Sequence, residues 1–523
     1  MKLLSRKWTS YLWVLLPLSI AFFLRSPMFL HGDFYYLIDQ ARDLMLVKDI
    51  VIDGNITLIG ARSGLGGIFH GPLWLYMLVP TFLLSGGDPF WTLIPVFLSV
   101  GLGIVAAGFF IGLKLYGKLF AVIFSLFLAI APSLIDSTVS MTNAQVMPLI
   151  FLAYLYSTIL YLRGREKFLI GSILLIGVGF QFESAFSVFL VPLTVAAVLL
   201  RRKIPPIKDV AFGVVGALFA VSSFILFELR NKFLMSGTAL KLFSGGVEQQ
   251  SGYEQYADLG FRIQDRIQLF ASSFFSPLFQ TNTLSNVSVL LVYIIVIGWL
   301  FFQFVIKKQQ DEKIKELIFL LLIPVLYFSL FILYPHPLWP HYLLPITISS
   351  SLLLTVGIFR LIQLRSLKPF VIFLSVVILL PAIQYASTTY STPYQPSSEG
   401  SYLNQLQVAD SVYQDAGAES FGYFTYHPAI LTYSMDYLFW WLDSAKYHTS
   451  PTNIKQASTY LILYKAEATD KNAHQFWKTK VVRTTGTVTD DWSFSSGIRV
   501  EKLSIIEHEP EPDPNYYINL TFR

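Results

Sequence analysis

About eleven apolar stretches run through this chain, and the gaps between them carry cations every second time. The stretches are 8–27, 90–113, 119–135, 141–162, 168–184, 186–200, 207–228, 286–306, 316–334, 341–360 and 369–387. A helix needs about 20 apolar residues to cross a bilayer. The clusters are Lys2/Arg6/Lys7, Lys114/Lys118, Arg163/Arg165/Lys167, Arg201/Arg202/Lys203, Lys307/Lys308/Lys313/Lys315 and Arg360/Arg365/Lys368. Lys and Arg in short loops stay on the cytoplasmic side. One orientation therefore puts every cluster inside, together with the N-terminus. The gaps 28–89, around 136–140, around 185, 229–285 and 335–340 are then external, as is everything after 387. The predicted fold is an all-α polytopic membrane protein of about 11 transmembrane helices with a small external α/β domain at its C-terminus.

The pattern decides one ambiguous segment. Leu73–Ser85 is apolar enough to suggest a crossing, but counting it would invert every later cation cluster. It holds only 13 residues before Gly86-Gly87-Asp88-Pro89. It reads as an external or re-entrant helix at the membrane surface.

Composition agrees. Only 14% of the 523 residues are charged and the mean hydropathy is +0.56, where a soluble domain carries about 25% charge. The net charge of +5 is uneven: from Ser387 on there are 10 Lys/Arg against 15 Asp/Glu, and before it 28 against 18. The basic excess sits in short loops, where it reads as topology and not as a nucleic-acid surface. No cysteine is present, which excludes disulfides, thiolate catalysis and cysteine metal sites. Tyr11–Leu24 lacks a following small-residue cleavage site and reads as an uncleaved signal anchor.

The domains expected are a membrane domain over 1–387 with a large first external loop at 28–89, a Ser/Thr/Pro linker at 388–400, and a soluble external domain over 401–523. In the tail, Ser401–Asp415 has helical periodicity, Phe421–Tyr426 and Tyr460–Tyr464 read as buried strands, Ala429–Leu442 as an amphipathic helix and Ile498–Ile506 as a last strand.

The first external loop holds the unusual residues. Charges beside a membrane are costly unless water, a partner or a substrate meets them. Asp33 follows the first stretch. On a helix starting near Phe34, Asp39 and Asp43 share a face with Arg42 next to it. The structural alternative is that Asp33 caps the helix and Asp39–Arg42 is a surface ion pair. A second group, Tyr334-Pro-His336-Pro-Leu-Trp-Pro340-His341-Tyr342, places three prolines, two histidines and aromatic rings at the outer interface.

These motifs resemble the GT-C class of lipid-dependent membrane glycosyltransferases, in particular the protein O-mannosyltransferase and lipid A aminoarabinose transferase branch. The resemblance rests on Asp33-Phe-Tyr-Tyr36 leading to Ala41-Arg42, on His70-Gly71-Pro72-Leu73-Trp74-Leu75-Tyr76, and on Tyr342-Leu-Leu-Pro345. The chain departs from the family in having Phe34 where a second acid stands, and His70 where a lysine meets the lipid phosphate. The resemblance implies an inverting transfer from a polyprenyl-phosphate sugar donor to an external protein, lipid or polysaccharide acceptor. Asp33 or Asp39 would be the general base, with Arg42, Asp43, His70, His341 and Tyr342 contacting substrate. A phosphate leaving group needs no general acid; it needs a base for the acceptor hydroxyl and donors for the developing charge. No motif demands a cofactor. The acidic cluster has the chemistry to hold a divalent cation, but no ligand spacing is diagnostic. The reading from another class is a transporter or flippase of lipid-linked or small polar substrates, for which broken helices and repeated halves are the expected marks. Neither is visible in the sequence. A reporter fused after Arg523 should respond as external; a cytoplasmic response would overturn the odd number of crossings.

Overall fold

The computed structural model describes residues 10–513 apart from 64–66, 244–252, most of 276–311, 363–367, 397, 430, 468–471 and 506–508. The expected crossing 286–306 and the cations at 2–7 and 307–308 lie outside the described residues. The other ten intervals coincide with helices or helix pairs. Among the described residues, five of these are long and apolar enough to cross a membrane, or up to seven if each of two bent pairs is one crossing. The five are Pro89–Tyr116, Asn143–Leu162, Ser184–Arg201, Ile314–Ile332 and His341–Phe359. Leu73–Ser85 is a short apolar helix, as expected.

The chain folds as two compact units that do not follow chain order. The first comprises Met1–Pro27, Leu58–Trp74 and Phe97–Thr392. Two of its expected crossings are broken, which periodicity does not reveal. Lys118–Ile130 and Pro132–Val139 meet at 55°, and Ile207–Ala220 and Ser222–Arg230 at 58°. A break frees backbone carbonyls that hydrocarbon cannot solvate. At Pro132 the buried Arg25 supplies the donors: its guanidinium bonds Ala129 O at 2.7 Å, Leu128 O at 3.2 Å and Thr138 Oγ1 at 3.2 Å. At Val221-Ser222 the amide of Gln181 does the same, donating to Ala220 O at 2.7 Å and Ser223 Oγ at 3.1 Å. Elsewhere Arg163 joins the buried Glu316 at 2.9 Å and donates to Leu115 O at 3.0 Å.

The second unit comprises Met28–Thr57, Leu75–Val96 and Pro393–Arg523. Among the described residues its sheet has four strands, β1 (Gly422–Tyr426), β2 (Ser458–Leu463), β3 (Thr487–Ser493) and β4 (Arg499–Ser504), in the order β1-β2-β4-β3. β1 and β2 are parallel and the other pairs antiparallel. Phe424, Leu461, Leu463, Trp477, Val482 and Leu503 form its core. β3 is an edge strand with mostly exposed, polar residues, so it has no apolar alternation to announce it. The amphipathic helix begins at Tyr433, not Ala429.

The early helix also starts late, at Ile38. Residues 34–36 are pulled into extended pairing instead: Tyr36 N–H bonds Gly400 O at 2.8 Å, and Tyr402 N–H bonds Phe34 O at 3.0 Å. The rings of Phe34, Tyr36 and Tyr402 pack on one another at 5.0–5.8 Å. Aromatic residues suit a pleated, half-buried backbone, and tertiary pairing here overrides the local helical pattern.

Burial pushes the Asp436 carboxyl up to about 6, against the hydroxyl donated by Thr432. Its charged form is therefore disfavoured in the fold. The stabilisation is fully present below about pH 4 and is lost as pH rises through about 6. Asp436→Asn should raise stability at pH 7.5 by on the order of 1 kcal/mol and change nothing near pH 4. Thermal unfolding of the purified protein at both pH values checks this, and an equal effect at both would refute it.

Candidate functional site

Asp33 is fully buried and closed by donors. Its Oδ1 accepts from Phe34 N–H at 2.8 Å and Leu403 N–H at 3.2 Å. Its Oδ2 accepts from the Ser401 hydroxyl at 2.7 Å and from the Tyr394 hydroxyl. A carboxylate offers about four lone-pair positions, and this one is saturated. Burial, and then the hydrogen bond to Asp33, hold the Tyr394 hydroxyl above its ordinary range, so it stays a donor. The His31 ring stacks on Tyr394 at 4.5 Å. Asp33 does not cap the Ile38–Val51 helix; Leu37 stands there, and Gln40 accepts its N–H at 3.0 Å.

Asp39, Arg42 and Asp43 do come together on that helix. Arg42 donates to Asp39 Oδ1 at 2.7 Å, and to Asp43 Oδ1 through Nη2 at 2.8 Å and Nε at 3.1 Å. Burial opposes the guanidinium charge, but Asp43 and Asp39 beside it outweigh that and raise its pKa. The two carboxylates then differ. The Asp43 side chain is 1% exposed and that of Asp39 is 57% exposed. Asp43 is an internal anchor, whereas Asp39 is an open carboxylate fixed from one side by a cation. Nine residues after Asp39, Lys48 lies 5.4 Å from the Trp440 ring.

His70 ends a tight hairpin in the first unit. Gly60 N–H bonds His70 O at 2.7 Å, His70 N–H bonds Ala61 O at 2.9 Å and Ser63 N–H bonds Ile68 O at 2.9 Å. Phe69 anchors it in a cluster with Ile59 and Phe227. Gly71 has a packing reason: a Cβ there would lie 2.3 Å from Gln181 Oε1 and 2.5 Å from Gln181 Cα. Tyr76 of the same motif, in the second unit, donates its hydroxyl to Thr57 O at 2.8 Å and accepts Thr57 N–H at 3.1 Å.

His341 and Tyr342 share the single turn Pro340–Leu343 before helix Leu344–Ile362, their rings 4.6 Å apart at 84°. That turn packs on the turn Asn143–Val146. The preceding proline-rich stretch is held by the buried Arg266, which donates to His336 O at 2.5 Å and Tyr334 O at 3.4 Å. Glu183, which as a charge at a crossing's end reads as solvated, is buried, and its side chain accepts Ala185 N–H at 3.1 Å as the cap of helix Ser184–Arg201. Asp33, Asp39, Arg42 and Asp43 thus belong to the second unit, and His70, His341 and Tyr342 to the first. Sequence reasoning missed Tyr394, Ser401 and the part that Gln181, noted only as a residue at a crossing's end, plays at the break. Their partners lie far off in the chain or in backbone freed by a break, and no spacing signals either.

Among the described residues no group of three His, Asp or Glu side chains is placed to hold a metal ion. Between Asp39 and Asp43 the Arg42 guanidinium occupies the place where a cation would bridge.

No protein-family model matches the chain, and no curated protein does. Solved structures do. ArnT from Cupriavidus metallidurans in the apo state aligns with a TM-score of 0.58 at 12% identity, covering 94% of this chain and 97% of that one. The same protein bound to undecaprenyl phosphate aligns with a TM-score of 0.56, again at 12% identity and the same coverage. An Archaeoglobus fulgidus oligosaccharyltransferase tethered with an acceptor peptide aligns with a TM-score of 0.51 at 12% identity, over 85% of this chain and 64% of that one. These proteins are GT-C glycosyltransferases. The fold of this chain is GT-C-like: mostly helical, with apolar helices and a small C-terminal sheet.

Arg42→Ala takes the guanidinium away from the buried Asp43 carboxylate and should cost about 3–5 kcal/mol. Asp39→Ala breaks an exposed pair and should cost less than about 1 kcal/mol. Thermal unfolding of the two variants separates them; equal losses would show that Arg42 does not anchor Asp43.

Proposed function

We propose that this protein is a membrane glycosyltransferase that takes a sugar from a polyprenyl-phosphate carrier and passes it to an acceptor on the external face of the membrane, with inversion. The supporting observation is the likeness to ArnT over 94% of the chain, including its form bound to undecaprenyl phosphate. Local chemistry agrees: a first-loop helix presents an open carboxylate clamped to an arginine.

The base is Asp39 or Asp33. Asp39 has the exposure that an incoming hydroxyl requires. Asp33 would first have to shed one of four hydrogen bonds, so geometry favours Asp39, with Asp33 as a positioning residue. Arg42, held charged, suits the developing phosphate charge, and His70, His341 and Tyr342 supply further hydrogen-bonding groups. Asp43 fixes the arginine. Attack by the acceptor hydroxyl on the anomeric carbon breaks its bond to the phosphate oxygen. The proton passes to the carboxylate and the polyprenyl phosphate leaves as an anion. Anchoring the donor by its lipid and orienting it contributes several kcal/mol on general grounds. The two broken helix pairs are a mark expected of a transporter, but Arg25 and Gln181 take carbonyls at both breaks that a substrate would otherwise meet.

Purified protein given a polyprenyl-phosphate sugar and a candidate acceptor should release the lipid phosphate. Asp39→Ala should slow this by about 10²-fold or more, with the unfolding temperature little changed. Asp33→Asn, which keeps the shape of the group, should act through stability if Asp39 is the base. Full activity in both inserted variants would refute the assignment, and uptake into sealed vesicles without cleavage of the sugar bond would establish transport instead.

A further inference from the structure

At the end of the first unit where helix Ser184–Arg201 finishes and helix Glu312–Ile332 begins, a groove of about 260 Å³ opens between them. Leu199, Leu200, Ile318 and Leu322 make its floor, and Arg202 and Lys315 stand on its rim. Both helices contain segments long and apolar enough to cross a bilayer. Leu199 is 69% exposed, so the floor is open to the surroundings of those helices.

Two of the seven lining residues, Arg202 and Lys315, are cations, and the other five are apolar. Both cations also occupy places that the local backbone does not favour. Arg202 closes its helix at φ 55°, in the left-handed region where glycine is at ease and a long side chain is strained. Lys315 sits in the opening turns of its helix, where the helix dipole favours acids. Strain of this kind gathers where a ligand is clamped.

We propose that an acidic phospholipid occupies this groove, with a hydrocarbon chain on the leucine and isoleucine floor and its phosphate between Arg202 and Lys315. Apolar length below and paired cations above complement a phosphodiester lipid, and basic pockets between crossing helices are where such headgroups bind. A zwitterionic lipid would bring its own cation against the same two side chains. The inference concerns the end of the chain's crossings marked by Arg201–Lys203 and stands whether or not the protein transfers sugars.

The test uses full-length protein in nanodiscs of phosphatidylcholine with or without phosphatidylglycerol, read by thermal unfolding and by native mass spectrometry of retained lipid. Phosphatidylglycerol should raise the unfolding temperature of the wild type and remain bound. The pair Arg202→Gln with Lys315→Gln should lower retention by about tenfold or more and abolish the rise. Leu199→Trp, which fills the floor and keeps both charges, should do the same. Arg202→Gly separates binding from folding: it relieves the strained φ, so in phosphatidylcholine it should be at least as stable as wild type while its response to phosphatidylglycerol shrinks. An unchanged response in the double variant and in Leu199→Trp overturns the proposal. So does a wild type that ignores phosphatidylglycerol, or one stabilised equally by soluble glycerol phosphate, which would mark a free-anion site.

Discussion

Hydrocarbon offers a backbone no hydrogen bonds, and the first unit is organised by that constraint. Regular helices meet it by themselves. Where the chain bends at Pro132 and at Val221, a polar side chain from a distant segment has to step in, and Arg25 and Gln181 do so. Gly71 then follows, because the hairpin ending at His70 approaches Gln181 too closely for any Cβ. A residue in the expected substrate motif is thereby explained by packing, and His70 beside it is held in place by the same hairpin.

The second unit depends on a different bond set. Asp33 gathers two backbone amides and two hydroxyls from residues 34, 394, 401 and 403. This joins the first loop and the chain's tail within one unit, and it is why residues 34–36 are extended and the helix waits until Ile38. Saturation makes Asp33 a strong organiser and a poor free base. The next carboxylates along the helix divide the remaining work. Asp43 is buried under Arg42, and Asp39 is presented outward by the same guanidinium. One arginine thus sets two different environments for two aspartates four residues apart.

Much of the architecture was legible because it is periodic. Apolar length and alternating cations marked ten of the eleven helical intervals, and short apolar segments marked β1, β2 and β4. The edge strand β3 was not legible, since its polar, exposed residues carry no pattern. The two breaks were not legible either: an apolar run reads the same whether straight or bent.

The sequence by itself determined the membrane class, the helix-rich layout, the small terminal sheet and the pairing of Asp39 with Arg42, because each follows from composition or from spacing of a few residues. Only the tertiary structure decided which carboxylate is open, which is sealed, and which side chains close the broken helices. Those outcomes depend largely on partners 39 to 370 residues away in the chain, and burial of a charge is a property of the surroundings, not of the residue that bears it.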